Sequence, residues 1–123
     1  MKTMNQTTGV RLRVVLAPGV ALGPGKADLL DGIRETGSIA AAGRRMKMSY
    51  RRAWTLVDEM NRWFRAPLVS TEKGGASGGG ARLTELGEAV LARYRRMEEQ
   101  AGAAVAADVE ALRQSLSDMS DGK

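Results

Sequence analysis

Hydrophobic residues in the middle of the chain recur at helical spacing in two neighbouring segments. The first follows Ser38 and the second follows Ser49, and both serines are good helix N-caps. The apolar positions are Ile39, Ala42 and Met46 in the first segment and Ala53, Val57, Met60 and Phe64 in the second. Lys47 and Met48 make a tight turn between them, and residues 40–43 are small where two helices would cross. The pattern predicts a helix-turn-helix.

The outward face of the second helix is polar and basic. Its residues are Arg51, Arg52, Thr55 and Arg62. The start of the second helix is the part of a helix-turn-helix that enters the major groove of DNA. We therefore predict a recognition helix that begins at Ser49. Taken alone, this stretch also fits a helical hairpin with solvated charged faces.

The segments before the helix-turn-helix predict a small hairpin and a supporting helix. Residues 1–9 are polar and predict a disordered arm. The turn Pro18-Gly19 separates two short runs of apolar, mostly branched residues, and Gly37 ends a run with helical periodicity. The expected elements are strands over residues 11–16 and 20–22 and a helix over residues 26–36.

A predicted wing follows the recognition helix. Pro67 stops helical structure, and residues 68–71 have the branched side chains of a strand. A glycine-rich tip over residues 74–80 and a return strand at residues 81–83 complete the order strand, tip, strand. A flexible Gly/Ser linker is the alternative, but it would interrupt a domain whose core is unfinished. The fold class is thus mostly α with a small β wing, and residues 10–83 form the winged helix-turn-helix.

The last third of the chain, residues 84–123, predicts a long helix and a tail. Thr84 is an expected N-cap, and Glu85 and Glu88 suit the positive end of the helix dipole. A continuous helix from Glu85 to Ser117 would be on the order of 50 Å long, at about 1.5 Å per residue. A small domain cannot cover its apolar stripe, so we expect a homodimer. Gly102 is a weak point at which the helix could bend or split. The interface residues predicted from the stripe are Tyr94, Met97, Ala101, Val105, Val109, Leu112 and Leu116.

Charge is segregated along the chain. Residues 43–82 contain nine Lys or Arg residues against three Asp or Glu residues, whereas residues 97–121 contain one against six. The net charge of the whole chain is +5. A basic middle and an acidic end favour a polyanionic partner for the middle only.

Composition removes several classes of function. The chain has no Cys and no His, which excludes zinc fingers, thiol nucleophiles, disulfide scaffolds and a Ser-His-Asp arrangement. No stretch approaches the roughly 20 apolar residues of a membrane span. The segment from Gly19 to Ala27 resembles a phosphate-binding loop, but it has the wrong glycine spacing and no hydroxyl after its lysine. We expect a cytoplasmic protein that is not an enzyme, holds no metal and has no membrane partner.

Three motifs together resemble the N-terminal DNA-binding domain of ModE-type molybdate-responsive regulators. They are Met48-Ser49-Tyr50-Arg51-Arg52-Ala53-Trp54, Glu59-Met60-Asn61, and the glycine-rich run that ends in Ala81-Arg82-Leu83-Thr84. The resemblance covers residues 10–97. LysR-type regulators share the pattern GSIAAAGRRM and the Leu-Thr-x-x-Gly motif at Leu83, Thr84 and Gly87, but not the start of the recognition helix or the wing.

The resemblance implies a homodimer that binds a palindromic operator on double-stranded DNA. The family represses molybdate uptake genes and in some cases activates molybdoenzyme genes. Its molybdate-binding domains have no counterpart here, so we expect no cofactor in this chain and leave a separate effector-sensing partner open. The alternatives are a LysR-like or architectural winged helix with another regulon, and a winged helix that binds a protein.

Residue roles follow from the helix pattern and from the resemblance. The residues expected to meet bases are Ser49, Tyr50, Arg51, Arg52 and Thr55. Those expected to meet the DNA backbone are Ser38, Arg44, Arg45, Lys47, Lys73, Gly74, Gly75, Gly78, Gly79, Gly80 and Arg82. Either Arg51 or Arg52 could pair with guanine. Tyr50 is left open between a phosphate hydrogen bond and packing, Trp54 is expected to pack, and Trp63 and Phe64 are expected in the core.

Overall fold

A computed structural model describes residues 9–72 and 80–117 of the chain. The predicted arm over residues 1–9 lies, except for Gly9, outside the described residues. The elements in chain order are β1 (Val14–Ala17), β2 (Val20–Leu22), α1 (Pro24–Thr36), α2 (Ile39–Arg45), α3 (Tyr50–Trp63), β3 (Val69–Glu72), β4 (Gly80–Leu83), α4 (Glu85–Ala104) and α5 (Ala106–Gln114). The predicted class, a mostly helical winged helix with small antiparallel hairpins, is confirmed.

The N-terminal hairpin forms as predicted, but its first strand is shorter than expected. β1 begins at Val14 rather than at residue 11, and it pairs antiparallel with β2 in the register Val14 to Leu22. The carbonyl of Leu12 instead accepts a hydrogen bond of 2.5 Å from the hydroxyl of Tyr94. A side chain from the far end of the domain therefore holds the segment that leads into the strand.

Local signals set both ends of α1. The helix begins at Pro24, two residues before the predicted start, because the fixed φ of proline suits the first helical turn. Gly37 ends it in the left-handed region at a φ of 73°, and its N–H donates to the carbonyl of Ile33 at 2.8 Å. Gly37 thus caps the helix as the sequence predicted.

The helix-turn-helix has the predicted caps and the predicted small contacts. The Ser38 hydroxyl accepts a hydrogen bond from the N–H of Ala41, and the Ser49 hydroxyl accepts one from the N–H of Arg52, each at 3.0 Å. A Cβ placed on Gly43 of α2 would lie 3.0 Å from the Cβ of Ala53 in α3. Small residues therefore do let the two helices approach closely.

The core lies between α1, α2, α3, the wing and the first half of α4. Its largest fully buried side chains are Leu29, Leu30, Ile33, Val57, Met60, Leu68 and Leu91. The expectation that Trp63 and Phe64 belong to this core is wrong, because both are only half-buried at the end of α3. Trp63 instead lies beneath the ammonium group of Lys26, which is 5.3 Å from the ring centroid.

The wing packs onto the helical core at its base. β3 and β4 pair antiparallel with Val69 opposite Leu83. The N–H of Ala81 in β4 donates to the carbonyl of Gly37 at 2.9 Å, which joins the wing to the end of α1. The predicted wing is confirmed as a strand pair. Of the tip predicted over residues 74–80, Gly80 belongs to β4, and the rest lies outside the described residues.

The C-terminal helix is interrupted. α4 ends at Ala104, and Val105 has φ −111° and ψ 13°, outside the helical region, before α5 begins. Of the two possibilities that the sequence left open, a continuous helix to Ser117 does not form: the helix continues through Gly102 and is interrupted three residues later, at Val105. Gly102 and the β-branched Val105 both have lower helix propensity than alanine. α5 also has no buried residue whose packing would hold it in line with α4.

Tyr94 does not belong to an interface between copies. Its side chain is 2% exposed and packs in the core of its own protomer, where its hydroxyl donates to Leu12. Burial, with the negative charge of Glu98 as the next cause, raises the pKa of Tyr94 to about 12. The apolar stripe of α4 is therefore shared between the protomer core and the surface, and the sequence did not show where one ends and the other begins.

Candidate nucleic-acid interface

The recognition helix α3 separates an apolar face from a polar face along its length. Ala53, Leu56, Val57 and Met60 are buried. On the opposite side Arg51, Arg52, Thr55 and Arg62 are exposed, as the sequence predicted. Because the buried face is anchored in the core, the orientation of the exposed face is set by packing and not by its own interactions.

The first turn of α3 concentrates positive charge at a positive helix end. Ser49 caps it, Arg51 and Arg52 follow, and the turn holds no acidic residue. The N-terminus of a helix already carries roughly half a positive charge, so two arginines there are unfavourable unless an anion approaches. In the described part of the chain neither arginine forms an ion pair.

The other basic residues around α3 divide into ion-paired and unpaired groups. Arg45 of α2 forms an ion pair with Glu35 of α1 at 2.7 Å, and Arg62 forms one with Asp58 at 3.1 Å. Arg44, Lys47 and Arg82 are exposed and have no ion pair among residues 9–72 and 80–117. Sequence reasoning treated Arg44 and Arg45 alike, because the pairing with Glu35 depends on how α1 and α2 pack.

The turn between α2 and α3 places Lys47 in a left-handed conformation. Its φ is 61°, the only positive value for a non-glycine residue in the described chain. The turn is closed by the N–H of Met48, which donates to the carbonyl of Gly43 at 3.0 Å. Lys47 is exposed and lies two residues before Ser49, the N-cap of α3.

Two predicted backbone contacts have structural roles. Ser38 uses its hydroxyl oxygen to cap α2. Gly80 belongs to β4, and a Cβ there would lie 3.2 Å from the carbonyl oxygen of Gly37, so it is packed against α1 at the root of the wing. Lys73, Gly74, Gly75, Gly78 and Gly79 lie outside the described residues.

Tyr50 and Trp54 form an aromatic pair beside the basic face. Their ring centroids are 6.3 Å apart in an edge-to-face arrangement, and the indole N–H of Trp54 donates a hydrogen bond to the Tyr50 hydroxyl. Trp54 is half-buried against the core, as expected, whereas Tyr50 is 58% exposed. Their spacing of four residues was the signal that could have revealed the pair from the sequence.

A second charged cluster lies between α1 and α4 and was missed by sequence reasoning. The guanidinium group of Arg95 contacts Asp28 at 2.8 Å and Asp31 at 2.5 Å in α1, and Glu98 at 2.9 Å in α4. Burial works to lower the pKa of Arg95, but the hydrogen bonds that its guanidinium group donates to these three carboxylates raise that pKa above its usual value. One guanidinium faces three carboxylates, so the cluster is net negative; it joins α4 to the core and does not extend the basic surface.

The described residues show no other site of an obvious chemical class. Residues 9–72 and 80–117 contain no group of three or more Cys, His, Asp or Glu residues that could hold a metal ion. Within the same ranges, no helix has the length and apolar character needed to cross a membrane.

Comparison with known protein families assigns the chain to one of them. The model of the bacterial regulatory helix-turn-helix proteins of the lysR family matches residues 27–88, from α1 to the first turn of α4. The chain belongs to this family. This lysR-family helix-turn-helix is thus a DNA-binding domain of bacterial regulators.

Curated relatives confirm the resemblance to ModE-type regulators. The chain is 44% identical over 80 residues to the molybdenum-pterin-binding protein MopB of Rhodobacter capsulatus and 40% identical over 80 residues to the molybdenum transport protein ModE of Azotobacter vinelandii; each match covers 65% of this chain and 30% of the relative. It is 37% identical over 71 residues to the DNA-binding transcriptional dual regulator ModE of Escherichia coli, which covers 58% of this chain and 27% of that protein. The chain therefore spans about a third of the length of these relatives.

A solved structure supports the fold. In the crystal structure of the CbnR_DBD–DNA complex, the protein aligns with a TM-score of 0.55 and 24% identity over 72% of this chain and 95% of that chain. At this identity the similarity shows the fold alone and not the DNA sequence that is bound.

Proposed function

We propose that this lysR-family helix-turn-helix binds double-stranded promoter DNA as a homodimer and controls genes of molybdate transport or molybdenum metabolism. The observation that carries the DNA-binding part is the first half of α3. Arg51 and Arg52 are exposed at a positive helix end, without ion pairs in the described chain, while the opposite face is anchored in the core.

The contacts to DNA divide by the kind of group that each side chain offers. An arginine of α3 can pair bidentately with the O6 and N7 atoms of guanine, which is worth about 1 to 3 kcal/mol of discrimination between bases. Arg44, Lys47 and Arg82 suit phosphate contacts, which fix the register on the duplex without reading its sequence. Arg45 would have to leave Glu35 to join them, so we assign it the smaller contribution.

A salt titration tests the DNA-binding proposal. Affinity for a promoter duplex should fall steeply as salt rises, because each neutralised phosphate adds about 0.9 to the slope of log K against log salt. At least one of the variants Arg51→Ala and Arg52→Ala should lose operator preference over random duplex while folding normally. Arg62→Ala is the matched control, because Arg62 lies on the same helix but is paired with Asp58. Operator binding unchanged in both test variants would contradict the assignment of α3.

The dimer is supported by apolar surface that the protomer leaves open. Leu112 is 70% exposed, Leu116 is 61% exposed and Val105 is 38% exposed, and α5 contains no buried residue. Met97 also borders an open apolar groove of about 380 Å³ between the N-terminal hairpin and α4. Ala101 and Val109 are half-buried and continue the stripe between these positions.

Sedimentation of interface variants tests the dimer. Leu112→Glu should shift the chain toward monomer and weaken binding to a two-site operator, because a charge would have to be buried in the apolar contact. Ala107→Glu is the matched control, since residue 107 lies about 140° from residue 112 around the axis of α5. A Leu112→Glu protein that remains a dimer would move the interface elsewhere.

The molybdenum part of the proposal comes from the relatives. Their names refer to molybdenum transport and molybdenum-pterin binding, and the similar segment is the DNA-binding part. Repression of uptake genes by a palindrome-bound dimer is the mode that we favour. Transcript levels of molybdate transport genes in a deletion strain, with and without added molybdate, test it; levels unchanged from the parent strain under both conditions would contradict this regulon.

A further inference from the structure

The angular positions of residues around α3 divide its polar surface into a centre and two flanks. Successive residues of an α-helix are about 100° apart around the axis. The buried residues Ala53, Leu56, Val57 and Met60 define the inward direction. On that projection Arg51 and Thr55 lie within about 30° of the outward direction, whereas Tyr50 and Arg52 lie roughly 90° to 110° away on opposite sides.

These positions correspond to different parts of a DNA groove. The outermost side chains of a helix in the major groove face the base edges, and the side chains on its flanks face the phosphates that border the groove. Arg51 is therefore the better placed of the two arginines to read a base. Arg52 occupies one flank as a cation, and the opposite flank is occupied by an uncharged phenol, Tyr50.

The hydrogen bond from Trp54 determines how the Tyr50 hydroxyl can be used. The indole N–H has only a donor role, so the Tyr50 oxygen accepts, and its O–H has no acceptor among residues 9–72 and 80–117. A hydroxyl that already accepts a hydrogen bond is polarised and becomes a stronger donor. Trp54 packs against the core and contacts the Tyr50 ring edge-to-face, which holds the phenol in one orientation.

We propose that Trp54 and Tyr50 form a pre-oriented donor for a phosphate oxygen of the DNA backbone, on the flank of α3 opposite Arg52. Tyr50 makes the contact, and Trp54 is a positioning residue that acts through it. The proposal rests on the proposed DNA-binding function. It assigns Tyr50 a sequence-independent contact that adds affinity and fixes the helix register without adding charge.

Binding to a random-sequence duplex of about 30 base pairs, three turns of DNA, tests the proposal because a phosphate contact needs no operator. Tyr50→Phe should weaken binding about tenfold per protomer in contact with the duplex, as expected for loss of one hydrogen bond to a charged group. Trp54→Phe should weaken it by up to the same factor. The double variant should bind as Tyr50→Phe does, since Trp54 acts only through the hydroxyl.

Two further measurements separate this role from a structural or base-reading one. Tyr50→Phe should leave the slope of log K against log salt unchanged, whereas Arg52→Gln should reduce it by about one per protomer. Tyr50→Phe should also weaken a selected operator and the random duplex by the same factor. Trp63→Phe, the other tryptophan of α3, is the control and should bind as the parent does.

Each contrary result has a definite meaning. If the parent binds no duplex, the proposed function fails and this inference falls with it. If the parent binds and Tyr50→Phe binds equally well, only the tyrosine contact is overturned. A loss confined to the operator would overturn the phosphate assignment in favour of a base. Additive losses in the double variant would overturn the positioning role of Trp54. Tyr50→Phe changes an exposed side chain, so the test holds even if Trp54→Phe folds poorly.

Discussion

Replacement of Gly87 by alanine offers a sharp test of how α4 meets the wing. A Cβ on Gly87 would lie 2.1 Å from the carbonyl oxygen of Leu68, and 3.0 Å from its carbonyl carbon, where ordinary contacts begin at 3.4 Å. The obstacle is backbone and not a flexible side chain. That carbonyl is also held by the N–H of Thr84 at 2.9 Å and by the Thr84 hydroxyl at 3.3 Å. A shift of more than 1 Å would therefore be required at the point where α4 is capped.

The expected magnitude follows from three contributions. Overpacking a rigid contact costs about 1 to 3 kcal/mol. Displacing the first turn of α4 also weakens the cap in which Thr84 accepts a hydrogen bond from the N–H of Gly87 at 2.9 Å, a loss of about 1 kcal/mol. Alanine in place of glycine within a helix stabilises the folded chain by about 0.5 to 1 kcal/mol, which offsets part of this loss. We expect Gly87→Ala to lower the free energy of unfolding by about 1 to 3.5 kcal/mol.

Urea denaturation followed by circular dichroism measures this difference, and Gly102→Ala is the matched control. Both glycines lie in α4, but a Cβ on Gly102 meets nothing within 4 Å. Gly102→Ala should therefore raise the free energy of unfolding by about 0.5 to 1 kcal/mol. Parental stability in Gly87→Ala, or an equal loss in Gly102→Ala, would refute the reasoning. The result would also give a physical reason for glycine in the Leu-Thr-x-x-Gly motif.

Two further predictions concern single side chains that hold the fold. Asn61 accepts hydrogen bonds from the N–H groups of Leu68 and Val69 and donates to the Val69 carbonyl. Asn61→Ala should lower the free energy of unfolding by about 2 to 3 kcal/mol in urea, while Asp58→Ala on the exposed face should change it by less than about 0.5 kcal/mol; similar values for both would contradict the role of Asn61. The folded pKa of Tyr94 is raised to about 12, above the roughly 10 of an unfolded tyrosine, so its stabilising effect is full below pH 10 and is lost as pH rises toward 12. The advantage of the parent over Tyr94→Phe in unfolding free energy should accordingly be about 1 kcal/mol at neutral pH and shrink above pH 10, and a pH-independent difference would argue against burial of this hydroxyl.

The basic surface follows partly from the sequence and partly from tertiary packing. The sequence predicted which positions of α3 face outward, and the structure agrees at Arg51, Arg52 and Thr55. It could not show that Arg45 is paired with Glu35, because ten residues and a helix end separate them. The pairing of Tyr50 with Trp54 was within reach of sequence reasoning, since residues four apart on a helix are neighbours. The roles of all these residues in contact with DNA stay predictions.

The sequence by itself determined the order of elements and most of their ends. Ser38, Ser49, Thr84 and Gly37 act within a few residues along the chain, so their capping hydrogen bonds can be read from local pattern alone. Only the tertiary structure decided that Tyr94 is buried against Leu12, 82 positions away. The same is true of Arg95, which contacts Asp28 and Asp31 from more than 60 positions away. The physical reason is that these contacts depend on the distance and angle between packed elements, and the periodicity of one helix carries no information about its neighbour.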